Sequence, residues 1–317
     1  VKDLQIFTDG GEYYVPRATD NTITPANVAV LRQTPYGISR TAPLLFDQAS
    51  GFVQKNGKSI REFVYSDIED GYKSTAVSIL AEHLIDSPKQ IAVLKGNATR
   101  PEQYAFFLNN GTTSPGTLAI FHSVRDEKIA GWGLWTTRTN DLFQSIISLN
   151  EHLVVCVKRQ LNGSTVYTLE KFADTDSITL DMKLTTTLNQ KGTPLIQGAG
   201  QSGASVTIDG FSTAPVINES FTIAGNATEY KIQAVTSNGG TSFTLNLDKS
   251  LAATPADNAA VTLTKGFLHN VNTIYRNEQV NCVDGNSSLG ALTVSGSDTI
   301  TLTTPRATGV HIGFNFI

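Results

Sequence analysis

From Gln90 to Phe172 the chain repeats one pattern: a short run with apolar side chains in alternation, then a turn. Strands are predicted over Gln90–Lys95, Gln103–Asn109, Thr117–Ser123 and Gly131–Thr137, then over Leu142–Leu149, His152–Arg159 and Thr165–Phe172. Asn109-Asn110-Gly111 and Asn162-Gly163 fall between them, and Asn-Gly supplies the positive φ that tight hairpins need. Antiparallel strands that return every ~10–15 residues build propeller blades or a large sandwich. The strands from 90 to 137 make one blade; those from 142 onward start another, which Ser177–Leu184 would close.

Composition agrees with this reading. Charged residues are 16% of the chain, whereas Thr alone supplies 39 of 317 residues. A polar surface of Thr, Ser, Asn and Gly favours strands and turns over helices. The expected fold class is mainly β: propeller-like meander blades, an inserted small β-barrel-like module and a further small β-domain. One helix is expected near 74–86, capped by Ser74 or Thr75. Its apolar stripe would be Val77, Leu80, Ala81 and Leu84, and Asp86-Ser87-Pro88 would end it.

Outside the repeat, Leu4–Thr8 and Glu12–Val15 flank the turn Asp9-Gly10-Gly11, and a strand is expected at Ser59–Tyr65. Gly192–Gly203 reads as a linker, and Ala204–Lys265 carries shorter, Thr-rich strands. The expected organisation is a propeller-like domain at 1–191, a linker at 192–203, an inserted module at 204–265 and a small β-domain at 266–317. The Val start and the apolar finish Gly313–Ile317 read as a piece cut from a longer chain.

Charge narrows the function classes. There are 24 basic and 28 acidic residues, a net charge of -4, and no run of Lys and Arg. That disfavours a sequence-specific nucleic-acid binder. No apolar run approaches the ~18 residues of a membrane-spanning helix, and neither end carries a signal peptide or lipidation motif.

Each candidate for chemistry meets a simpler explanation. Gly198-Ala199-Gly200-Gln201-Ser202-Gly203 matches G-x-G-x-x-G, but a strand and not a helix follows it, so no helix N-terminus would receive phosphate. Asp174, Asp176 and Asp181 have a faint oxygen-ligand spacing without the Gly and Glu of a calcium loop. His83, His122, His152, His269 and His311 are scattered singly, and Cys156 and Cys282 are too few for a metal site. Asp126-Glu127 beside Lys128 reads as a charged turn. Trp132 and Trp135 lie three apart, so on one strand they face opposite ways, leaving at most one for a sugar platform. Asn97, Asn110, Asn162, Asn218, Asn226 and Asn286 open glycosylation sequons that matter only in a secretory pathway, and are read as turn residues. No catalytic, cofactor-binding or metal-ligating residue is therefore assigned, and no enzyme activity or cofactor is expected.

Several stretches taken in order resemble the nozzle, or tail tubular B-type, proteins of short-tailed phages. Leu4-Gln5-Ile6-Phe7-Thr8-Asp9-Gly10-Gly11-Glu12-Tyr13 is similar to their L-x-x-F-T-x-G-G-E hairpin. Tyr36-Gly37-Ile38-Ser39 with Pro43 resembles the next shared stretch. Ser59-Ile60-Arg61-Glu62-Phe63-Val64-Tyr65 with Asp70-Gly71-Tyr72 resembles their I-R-E-F-x-Y strand, and Leu80–Leu84 the helix after it. Asn162-Gly163 with Glu170 is similar to a later hairpin. Phe267–Val271, Asn281–Gly285 and Gly296–Leu302 resemble their small β-domain. Residues 192–265 depart from that family. There, Glu219–Gly225, Tyr230–Val235 and Phe243–Leu245 are similar to the small β-domain forming the first catalytic-cysteine half of ubiquitin-activating enzymes, but the segment has no Cys.

The resemblance implies a structural phage-tail subunit: a homo-oligomeric tube, hexameric in the full-length protein, joined to tail adaptor and tail fibre proteins. Genome DNA would pass through its lumen. It also implies a place in the virion after synthesis in the host cytoplasm. On the truncated reading, part of the ring-forming surface is missing and the chain alone is expected to be monomeric. The alternative expectation is a carbohydrate-binding or carbohydrate-cleaving receptor-recognition protein of the tail.

Overall fold

A computed structural model describes residues 3–16, 23–46, 49–97, 102–124, 127, 129–173 and 180–315. The chain is mainly β, as its turn spacing predicts, and falls into two compact units. The first is built mostly from residues up to 173, the second mostly from 180–315.

The first unit holds four antiparallel sheets in chain order. The opening sheet comprises β1 (Leu4–Thr8), β2 (Gly11–Val15) and β3 (Leu31–Thr34). The second comprises β4 (Leu44–Phe46), β5 (Ala49–Val53), β6 (Ile60–Ser66) and β7 (Gly71–Ala76). The third comprises β8 (Gln90–Leu94), β9 (Tyr104–Leu108), β10 (Leu118–Val124) and β11 (Ile129–Trp135). The last comprises β12 (Leu142–Leu149), β13 (His152–Leu161) and β14 (Ser164–Lys171). The β13–β14 hairpin turns on Asn162 and Gly163, both at positive φ.

These sheets stack face to face, as propeller blades do. Period-two alternation carries the packing. On the third sheet, Ala105, Phe107, Ala119 and Phe121 meet Phe46, Val53 and Ile60 of the second. Their neighbours Phe106, Leu108, Leu118 and Ile120 meet Phe143, Ile146, Val155 and Val157 of the last. Both faces of β9 and β10 are thus buried, which explains why they read as nearly continuous apolar runs. Phe7, Tyr14, Phe52, Phe63 and Tyr72 join the first two sheets.

The expected helix at 74–86 is not there. Ser74, Thr75 and Ala76 extend β7 and pair with Phe63, Glu62 and Arg61. The ladder continues through Val77, whose amide donates to the Ile60 carbonyl, and through Ser78, whose Oγ accepts the Ile60 amide. Those groups are committed to β6, and only Glu82–Leu84 makes a 3-10 turn. Val77 and Leu84 still pack against the core between the second and third sheets, but Leu80 is 92% exposed, so the four residues do not act as one helical stripe.

The second unit contains β15 (Asp181–Thr185), β16 (Thr187–Leu188), β17 (Gly192–Ile196), β18 (Ser205–Phe211), β19 (Ser220–Ile223) and β20 (Asn226–Gly239). It continues with β21 (Ser242–Leu247), β22 (Val261–Asn270), β23 (Gln279–Asp284), β24 (Ser287–Thr293), β25 (Thr299–Arg306) and β26 (His311–Phe314). One sheet runs β16-β22-β19-β20-β21-β18-β17, with β25 on the other side of β22. It curls until Leu195 of β17 bridges Ala260 beside β22. Ile196, Val206, Ile208, Phe221, Tyr230, Ile232 and Leu245 fill the interior.

Two further expectations change here. Gly192–Ile196 is a strand and not a linker: Lys191 anchors it through a buried ion pair with Glu219 at 2.8 Å, and Gly192 lies too close to the Gly210 carbonyl for a Cβ to fit. Residues 177–179 of the expected closing strand lie outside the described residues, but Asp181–Thr185 pairs with β26 in a second sheet, β15-β26-β23-β24, and not with β14. Alternation announces a strand without naming its partner. No helix among the described residues is long and apolar enough to cross a membrane.

Candidate functional site

Meander pairing fixes which loops of the first unit gather at one rim. Leu44 opposes Gly51, Val53 opposes Ile60 and Arg61 opposes Ala76. The entry to β4, the β5–β6 turn and the exit of β7 therefore share one end of that sheet. The entry to β8 begins from the segment that leaves β7. At this rim Ser39–Thr41, Lys55–Gly57 and Ser87–Lys89 enclose an open cleft of about 280 Å³.

The cleft floor is tied down. The Ser87 amide donates to the Gly57 carbonyl at 2.8 Å, and Thr41 Oγ1 to the Pro88 carbonyl at 2.5 Å. Ser39 Oγ accepts the Thr41 amide, so its own proton is free to point elsewhere. Ser87 holds φ at +50°, a costly conformation for a residue with a side chain, directly before a proline.

Three cations reach this rim from three loops: Arg40, Lys55 and Lys89, all exposed. Arg40 and Lys89 have no carboxylate partner among the described residues. Lys55 lies 3.5 Å from Asp9, with both side chains largely in water, where such a pair is worth little. Among the described residues no carboxylate lines the cleft.

The nearest buried acid is occupied elsewhere. Asp86 takes a hydrogen bond from Lys58 at 2.5 Å and from the amides of Thr113 and Ser114 at 2.8 Å each. The Lys58 ammonium, ahead of those amides, holds its carboxyl below the usual carboxylate range. Asp86 therefore favours its ionised form and is engaged by Lys58 and the β9–β10 loop.

A second, smaller cleft of about 200 Å³ repeats the position one sheet later, between Pro115–Thr117 and Thr136–Leu142. Its cation is used internally, because Arg138 Nε lies 3.4 Å from Asp141.

The residues singled out from sequence are dispersed. Trp132 and Trp135 do face opposite sides of β11. Trp132 stacks on Phe121 at 4.7 Å and its Nε1 donates to the Val77 carbonyl, while Trp135 stacks on Phe172 at 4.7 Å. The glycine motif at 198–203 is the loop joining β17 to β18, and Gln201 ties it by bonding the Thr207 amide and carbonyl. His122 stacks on Tyr104, His311 bonds Thr185, and His269 is buried against Thr186. Cys156 is half-buried and Cys282 buried, both as free thiols. Asp174, Asp176, Asp126 and Lys128 lie outside the described residues. Among the described residues no three His, Cys, Asp or Glu converge as metal ligands.

Comparison with known proteins adds no name to this geometry. No protein-family model matches the chain, and no curated protein matches it.

Proposed function

We propose that this chain is a structural subunit of a phage tail, part of a homo-oligomeric nozzle through which genome DNA leaves the particle. The observation that carries the reading is how the residues behind the resemblance fold onto each other. Phe7 of the first motif packs on Phe63 of the third at 5.4 Å, and Phe63 stacks on Tyr72 at 4.8 Å. Arg61 lies over the Tyr36 ring at 3.3 Å. Glu12, fully buried, accepts hydrogen bonds from the Thr34 hydroxyl and the Tyr36 amide. Motifs spread over some seventy positions thus build one aromatic core, which favours descent from a common fold over chance matches.

Assembly into a ring, the adaptor and fibre contacts, and residence in the virion belong to the same proposal. The carbohydrate alternative draws less support, because both tryptophans are already stacked on phenylalanines. An antibody raised against this chain and imaged on particles that carry it should decorate the tail. Decoration of the head, or none on intact or opened particles, would sink the proposal.

A further inference from the structure

We infer that the rim cleft between Arg40, Lys55 and Lys89 binds a phosphoryl group, either as free phosphate or as the phosphodiester of a DNA strand. This inference stands on the cleft alone and survives or fails independently of the tail proposal.

Four observations converge. The first is charge. The chain is net acidic, with 24 cations in 317 residues, yet three of them from separate loops share one cleft of about 280 Å³ that no carboxylate among the described residues lines. The second is availability. Arg40 and Lys89 have no ionic partner among the described residues, whereas the neighbouring Lys58 is taken by Asp86. The third is donor chemistry. Ser39, Asn56 and Ser87 line the same space, adding hydroxyl and amide donors to a guanidinium and two ammonium groups. Phosphoryl oxygens are acceptors only, so a set rich in donors and poor in acceptors suits them, and a guanidinium can grip two oxygens at once. The fourth is preorganisation. The floor is fixed by the Gly57–Ser87 and Thr41–Pro88 hydrogen bonds, and Ser87 is held at positive φ. Strained residues of this kind persist where surrounding structure enforces them, and they gather at ligand sites.

The scale of the cleft matches one phosphoryl group and not an extended groove, so sequence readout is not expected. Sticking should fall steeply with salt, as phosphate contacts do.

The test is isothermal titration calorimetry on the 317-residue chain in low salt. One arm uses inorganic phosphate; a second uses a thymidine 12-mer. The double variant Arg40→Gln/Lys89→Gln removes the two unpaired cations. A second double variant, Lys231→Gln/Lys249→Gln, makes the same charge change on exposed residues of the other unit. Thermal unfolding of each variant checks folding. Binding in either arm that weakens at least tenfold in the first variant, and less than twofold in the second, supports the assignment. Binding of phosphate names the free ion as sufficient; binding of the 12-mer alone names the polymer backbone. Absence of binding in both arms at millimolar ligand, or equal loss in the two variants, overturns it. Should Arg40→Gln/Lys89→Gln unfold, the single variant Lys89→Gln is read against Lys249→Gln by the same criteria, with threefold weakening required.

Discussion

The guanidinium of Arg159 and the carboxylate of Asp141 meet at 3.0 Å with neither side chain open to solvent. Arg159 also bonds both carboxylate oxygens of Glu170 at 2.6 Å, and Asp141 accepts the Gln160 amide at 2.8 Å. The network ties the turn before β12 to β13 and β14. Without Asp141 the Arg159 guanidinium keeps its two bonds to Glu170, but its remaining nitrogen and the Gln160 amide lose this acceptor, which typically costs about 1–3 kcal/mol. Asp141→Ala should therefore lower unfolding free energy by that amount in a denaturant titration. Glu170→Ala should cost less, since its carboxylate reaches solvent. A loss under ~1 kcal/mol for Asp141→Ala would contradict the arrangement.

Gly57 sits at φ +70°, and a Cβ there would lie 2.7 Å from Ser87 Oγ and 3.2 Å from Ser87 Cα. Gly57→Ala should cost ~1–3 kcal/mol through backbone strain, with the close contact adding to it. Thermal unfolding checks this; an unchanged midpoint would mean that the Lys55–Gly57 turn can relax away from Ser87.

His269 is fully buried, with Thr186 Oγ1 on Nδ1 at 3.1 Å and no partner for Nε2 among the described residues. Burial holds its pKa below the ordinary 6.5. The unfolded chain then binds a proton more readily than the folded one. Its contribution to stability is whole above the unfolded value and is lost as pH falls toward the folded value. Denaturant unfolding at pH 7.5 and 5.5 should show stability falling with acid, and His269→Gln should flatten the difference. His311, also held low by burial, contributes in the same direction and remains in the variant. Equal slopes for the two proteins would remove His269 from the account.

Cys282 is buried and its thiol is pushed up to about 11 by that burial. Reactivity follows the thiolate and its access. In native protein at pH 8, iodoacetamide followed by peptide mass spectrometry should label Cys156 well before Cys282. Denaturation should release Cys282. Equal native rates would contradict the packing of β23.

Local sequence carried the strands because alternation and Asn-Gly turns act within a few residues. The Asn162-Gly163 hairpin and the opposed tryptophans follow from that. The helix at 74–86 misled because Val77, Leu80, Ala81 and Leu84 keep helical spacing while the backbone of residues 74–77 is taken by the ladder on β6. Partner choice was equally hidden: Asp181–Thr185 reads as a strand but joins β26, more than a hundred residues later. The basic cleft was illegible for the same reason. Arg40, Lys55 and Lys89 are each isolated in sequence, and only the meander brings their loops to one rim.

The curled sheet of the second unit is entered and left through adjacent antiparallel strands, with Thr187 opposite Asn270 and Leu188 opposite His269. Both ends of that curled segment emerge on the same side. Tension applied along the chain would load those ladder bonds one after another instead of shearing them together. A pull on residues 187 and 270 would therefore open the curled sheet by peeling, starting with the two-residue strand β16.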